Sequence, residues 1–263
     1  CQSGRWVHEN QGAWVPLHTG ALVLGATGGR TTQGSTPFVC IREKDGAAGI
    51  AFHVLPRGNW TIRLSLHPLM NSGTGGLSVE IGPASDGLAL TLAPGARWPL
   101  PTILICPLAG GNPEDGCAPL HRYVNRSLYA DYPVAPPIAY NTWFDRFDRL
   151  ETPRLQLQLA AAVELGVEVF TVDAGWFGTG TNWFSCTGDW HESDTAAFHG
   201  AMSSFVAAVR AAGLKFGLWM EPERLSAKAP VVREHPGWFS SSDDVFFWPN
   251  LEDSACYAYI LGE

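Results

Sequence analysis

The sequence has no apolar run near the roughly 20 residues that a bilayer span requires; residues 21–25 and 102–106 are far too short. It also lacks any cluster of Lys or Arg. Its 17 basic residues against 25 acidic ones leave a net charge of −8, so neither nucleic acid nor a membrane surface is expected as a partner. The six cysteines (Cys1, Cys40, Cys106, Cys117, Cys186 and Cys256) form no C-x-x-C pair, and no His stands at finger spacing. A structural zinc site or a disulfide framework is therefore not expected, although a bridge between Cys106 and Cys117 is conceivable. The compartment stays open, with cytoplasmic favoured over secreted. The sequons at Asn59 and Asn125 bear only on a secreted protein. The chain starts at Cys1 with no basic-then-apolar leader, so we expect the middle of a longer chain.

What the sequence does contain is glycine, proline and tryptophan. With 263 residues, 46% of them hydrophobic, it is long enough for one large domain or two modest ones at about 150 residues each. Eleven Trp supply flat apolar platforms with one N–H donor each, suited to sugar faces and equally to filling a core. Up to about residue 131 the pattern reads as β structure. Short branched or apolar segments at 37–41, 48–55, 60–67, 77–81, 88–92 and 102–107 are separated by Gly, Pro, Asn and Asp, which favours a sandwich or a large sheet. The stretch 131–137, with Pro133, Pro136 and Pro137, stiffens the chain and marks a boundary. We expect a β domain at 1–131 and an α/β domain at 132–263.

In the second domain strand and helix alternate. Thr152 is a candidate cap with Pro153 at the first helical position; Leu155, Leu159, Ala162 and Val163 share a face, and Gly166 supplies the stop. The run 167–172 follows and ends in Asp173. Residues 198–212 carry apolar side chains at helical spacing up to Gly213, and the run 214–220 then ends in Glu221. With an earlier strand at 138–143, this implies parallel β/α units. A carboxylate at the C-terminal end of successive parallel strands is where a β/α barrel builds its site. Asp173 and Glu221 occur among Trp176, Trp183, Trp190 and Trp219.

Asn141-Thr142-Trp143, Val172-Asp173-Ala174-Gly175-Trp176-Phe177 and Gly188-Asp189-Trp190 occur in that order. They are followed by Gly217-Leu218-Trp219-Met220-Glu221-Pro222-Glu223-Arg224 and His235-Pro236-Gly237-Trp238. Together they resemble the melibiase family, the family 36 glycoside hydrolases, which are chiefly α-galactosidases. Arg30, Pro37-Phe38 and Gly58-Asn59-Trp60 are similar to that family's N-terminal β-supersandwich. The resemblance implies part of such a β-supersandwich followed by the first three or so β/α units of a (β/α)8 (TIM) barrel.

It also implies retaining hydrolysis of terminal α-linked galactose from oligosaccharides, without cofactor or metal, by two carboxylates roughly 5–5.5 Å apart. In the family both are aspartates, and the nucleophile sits in a Lys–aromatic–Asp triplet. No such triplet occurs in the sequence, so both catalytic residues are expected after Glu263, and this chain alone is expected to be inactive. By the same resemblance Asp173 matches the first of two aspartates that bind sugar hydroxyls, whereas the second is Ala174. The glycone is thereby left open between galactose and a relative such as N-acetylgalactosamine. Trp219 matches a tryptophan lining the sugar pocket; Trp143 and Trp176 are candidate neighbours, and Asp189 lies in a loop near the sugar. Glu221 and Glu223 fall in the family's Glu-Pro-Glu turn, as scaffold or as substrate contacts. Family members often assemble as tetramers, which implies a homo-oligomer for the whole protein.

Two other readings compete. A metal-assisted hydrolase would draw on Asp173, Asp189, His191, Glu221 and His235, but no H-x-H or H-E-x-x-H is present. A non-catalytic carbohydrate-binding module would use the aromatic platforms alone.

Overall fold

A computed structural model describes residues 2–5, 8–18, 20–29, 32, 34–56, 58–70, 74–130, 135–178, 182–193, 197–241 and 243–262. Arg30, Cys1 and residues 131–134 of the expected linker lie outside the described residues. The chain divides into two compact units, Cys1–Pro133 and Val134–Glu263.

The first unit is built on antiparallel strands: β1 (Gln2–Arg5), β2 (His8–Gly12), β3 (Gly20–Ala26), β4 (Gly34–Ser35), β5 (Phe38–Arg42) and β6 (Gly49–Leu55). It continues with β7 (Trp60–Met70), β8 (Thr74–Pro83), β9 (Thr102–Leu108) and the helix α1 (Pro113–Tyr123). They form three sheets, ordered β2-β1-β4, β3-β7-β8 and β5-β6-β9. Alternation puts Trp60, Ile62 and Leu64 of β7 on the same core as Val39, Phe52 and Val54 of β5 and β6, as period-2 patterning demands.

The structure corrects the sequence reading here in three places. Residues 88–92 are open chain rather than a strand; Leu88, Leu90 and Leu92 are exposed. A helix occurs where only β structure was expected. Asn112 caps α1 by accepting from the Glu114 amide (3.3 Å), with Pro113 at its first turn and His121 and Arg122 at its last. Gly116 lets α1 approach β9, since a Cβ there would lie 2.8 Å from a Leu108 methyl. Cys106 and Cys117 are free thiols, not a bridge; each donates to a nearby backbone carbonyl, of Pro107 and Pro113.

The second unit opens with β10 (Ala139–Asn141), α2 (Trp143–Arg146), α3 (Thr152–Glu164), β11 (Val169–Val172), α4 (Met202–Ala211) and β12 (Lys215–Leu218). β10, β11 and β12 form a parallel sheet in that order. Leu155, Leu159 and Ala162 of α3 and Phe205 and Val209 of α4 share one buried cluster with Phe170 and Val172 of β11. The Phe170 and Phe205 rings meet edge to face at 5.7 Å. Val163, read as part of the apolar face, is exposed. The hydroxyl of Thr152 does not cap α3 but donates to the Ala197 carbonyl at 2.6 Å. Gly166, at φ 75°, ends the helix segment as expected. α4 starts at Met202 rather than at 198, because the residues before it turn, with His199 at φ 49°.

Beyond β12 lie β13 (Leu225–Ser226), α5 (Pro230–Glu234), β14 (Phe239–Ser240), β15 (Phe246–Pro249) and α6 (Ser254–Gly262). The strands pair in the order β13-β15-β14. Leu225, Ala229, Val231 and Val232 are their buried centre. Among the described residues no helix is long and apolar enough to cross a membrane.

Candidate functional site

Parallel pairing puts the C-terminal ends of β10, β11 and β12 side by side, because Asn141 pairs with Thr171 and Val172 with Leu218. Asp173 is the next residue after β11 and Trp219 the next after β12. The ladder continues one step past the strands: the Trp219 amide donates to the Val172 carbonyl at 2.9 Å. Asp173 and Trp219 therefore stand at the same end of the sheet.

Asp173 is 8% exposed, and a buried carboxylate must find donors. Its Oδ2 accepts from Nδ2 of Asn141 at 2.7 Å, and its Oδ1 from the Ala174 amide at 2.7 Å. Its own amide donates to Oγ1 of Thr142 at 2.9 Å. Asn141 is fixed in turn, its Oδ1 accepting from the Trp143 amide at 2.8 Å. A carboxylate has about four lone-pair directions, and these two bonds take up half of them. Ala174 is 1% exposed and packs within the apolar cluster. Gly175, at φ 106°, turns the chain so tightly that a Cβ would lie 2.3 Å from the Asp148 carbonyl oxygen.

Aromatic rings wall this end. The Trp219 ring lies 5.5 Å from Trp183 at 90°, 6.4 Å from Trp190 at 72°, and stacks with Phe177 at 6.2 Å. Trp143 reaches the same group through Trp183, at 5.7 Å and 90°. Trp176 is 4% exposed, and its indole N–H donates to the Trp219 carbonyl at 3.0 Å. It thus supports Trp219 from the buried side. Asp189 pairs with Nδ1 of the exposed His191 at 3.0 Å. Glu221 accepts from Arg224 at 2.6 Å, and Glu223 is exposed. On α2, Asp145 receives a forked bond from Arg154 of α3 and a bond from Gln158 at 2.7 Å. The Arg154 guanidinium holds the Asp145 carboxyl below the ordinary carboxylate range.

The structure thus brings Asp173, Trp219, Trp143 and Trp176 into one connected group, and the stack of Trp190 on Trp176 (6.4 Å, 27°) links the Asp189 loop to it. The five candidate metal ligands of the competing reading do not assemble; among the described residues no three or more His, Cys, Asp or Glu are placed to hold a metal ion. Sequence reasoning missed Asn141 and Thr142 as partners of Asp173, and Phe177, Trp183 and Trp190 as partners of Trp219. Four of the five stand inside the quoted motifs, and Trp183 stands in the Trp-rich stretch after β11, but neither signal says which side chain each would meet.

Residues 118–246 match the model of the family described as Melibiase. The chain is 27% identical over 237 residues to alpha-galactosidase 1 of Pediococcus pentosaceus, covering 88% of this chain and 31% of that protein. Over residues 118–246 the chain is similar to the melibiase family. The likeness extends to the fold. The solved α-galactosidase of Lactobacillus brevis superposes with a TM-score of 0.80 at 22% identity, covering 99% of this chain and 36% of that one. A variant of the family 36 α-galactosidase AgaA from Geobacillus stearothermophilus, solved with raffinose, superposes at 0.76 with 22% identity, covering 94% and 35%. The chain spans about a third of the length of the relatives it matches.

Proposed function

We propose that the complete protein is a retaining glycoside hydrolase that releases terminal α-linked galactose, and that this chain supplies part of its sugar pocket. The observation that carries the reading is the pairing of a buried, hydrogen-bonded carboxylate, Asp173, with an indole, Trp219, at the same end of neighbouring parallel strands. In a β/α barrel that end is the functional one. We assign residues 1–131 to part of a β-supersandwich and 132–263 to the first three or so units of a (β/α)8 barrel. The reacting pair of aspartates is assigned to residues after Glu263.

In this reading Asp173 accepts from a sugar hydroxyl, a charge-assisted bond stronger than a neutral one. Asn141 and the Ala174 amide hold the carboxylate so that its free lone pairs face the pocket. Trp219 offers its ring to the apolar face of the sugar, with Trp143 joined to it through Trp183 and Trp176 fixing its backbone. Asp189, held by His191, borders the same pocket. A galactosyl oligosaccharide fits these contacts, and a variant of the AgaA relative was solved in complex with raffinose.

The test is turnover of p-nitrophenyl α-D-galactoside by the complete protein, followed by proton NMR. Retention predicts the α-anomer of galactose as the first product. A β-anomer formed first, or no turnover, overturns the proposal; preference for the N-acetylgalactosaminide corrects the sugar alone.

A further inference from the structure

The turn that leaves β12 carries a cation the sugar contacts do not use. Nη2 of Arg224 donates to Oε2 of Glu221 at 2.6 Å, and the two side chains are only 19% and 12% exposed. The guanidinium carbon lies 4.6 Å from the ring centres of Phe184 and Phe246, and 5.8 Å from that of Trp183. Phe184 and Phe246 meet edge to face at 4.6 Å. Nε of Arg224 is buried without a hydrogen-bond partner. Leaving a donor dry is costly, so the side chain is held by its carboxylate and by ring faces instead. Trp183 and Phe184 come from the 3-10 turn Trp183–Ser185, and Phe246 comes from β15. Arg224 thus ties two segments distant in sequence to the end of β12.

One of those rings is a wall of the pocket, since Trp183 stands perpendicular to both Trp219 and Trp143. We propose that Arg224 is a positioning residue that holds Trp183 against Trp219 and so presets the indole wall before a sugar arrives. Its relevance to catalysis rests on the reading of Trp219 as the sugar platform; its effect on the rings does not. Planarity matters as much as charge, because a guanidinium lies flat on rings and an ammonium does not.

The test uses the complete protein with Arg224→Met, Arg224→Lys and, as a reference for a displaced ring, Trp183→Phe. The readouts are the indole exciton couplet in circular dichroism and the kinetics on p-nitrophenyl α-D-galactoside. Both Arg224 variants are expected to weaken the couplet as Trp183→Phe does, and to raise KM about fivefold while kcat stays within about twofold, the size of a lost cation–π contact. An unchanged couplet with KM within about twofold of the parent overturns the proposal. If the parent turns over no α-galactoside, the function reading fails and the couplet alone decides the role of Arg224. Should Arg224→Met not fold, Arg224→Lys and Glu221→Gln, which preserve bulk, are judged by the same two outcomes.

Discussion

Asp173 is the residue whose surroundings say most about its use. A carboxylate this buried would be expensive without donors, yet two donors occupy only part of its accepting capacity. We expect Asp173→Ala in the complete protein to lower kcat/KM at least tenfold, the equivalent of losing a charged contact worth about 1.5–3 kcal/mol. Steady-state kinetics check this, and a near-normal kcat/KM removes Asp173 from the pocket. At this scale the sequence showed Asp173 at the end of one apolar run and Trp219 near the end of the next, and the structure puts the two at the same end of the sheet. Asn141 and Thr142 could not be read the same way. Their bonds reach Asp173 across a strand pairing, and a sequence does not display which strand will lie beside which. Cys106 and Cys117 failed for a related reason, as nearness along the chain does not aim two thiols at each other.

Among the described glycines, Gly175 in the turn after β11 leaves the least room for a Cβ. Gly175 combines a left-handed backbone with a carbonyl 2.3 Å from where a Cβ would sit. Gly175→Ala is therefore expected to destabilise the protein by about 2–3 kcal/mol, measured as a lower midpoint in denaturant unfolding. An unshifted midpoint would mean that the turn relaxes freely. Elements with one clear period were legible: α3 through Leu155, Leu159 and Ala162, and β11 through Phe170 and Val172. α1 was hidden because Gly116 and Pro119 interrupt it, and both normally argue against a helix interior. Residues 88–92 misled in the opposite sense. Alternating Leu88, Leu90 and Leu92 have the strand period, but in this chain they lack a partner sheet to bury them.

For the molecule as a whole, each unit has its own buried centre, yet much apolar surface stays outside. Leu88, Leu90, Leu92, Trp98 and Leu100 are exposed together between β8 and β9, and β10 and β12 are both margins of their sheet. Such surfaces and margins promote association. We therefore expect the 263-residue chain, expressed by itself, to sediment as a self-associated species that binds a hydrophobic dye. A dye-negative monomer would contradict this.

Trp219 sits one step beyond the marginal strand β12, suspended from Val172 by its amide and from the Trp176 indole by its carbonyl. Whatever seats or unseats a strand alongside β12 is transmitted directly to this ring. In the function proposed above, seating a further strand beside β12 and setting the Trp219 ring for a sugar become a single event.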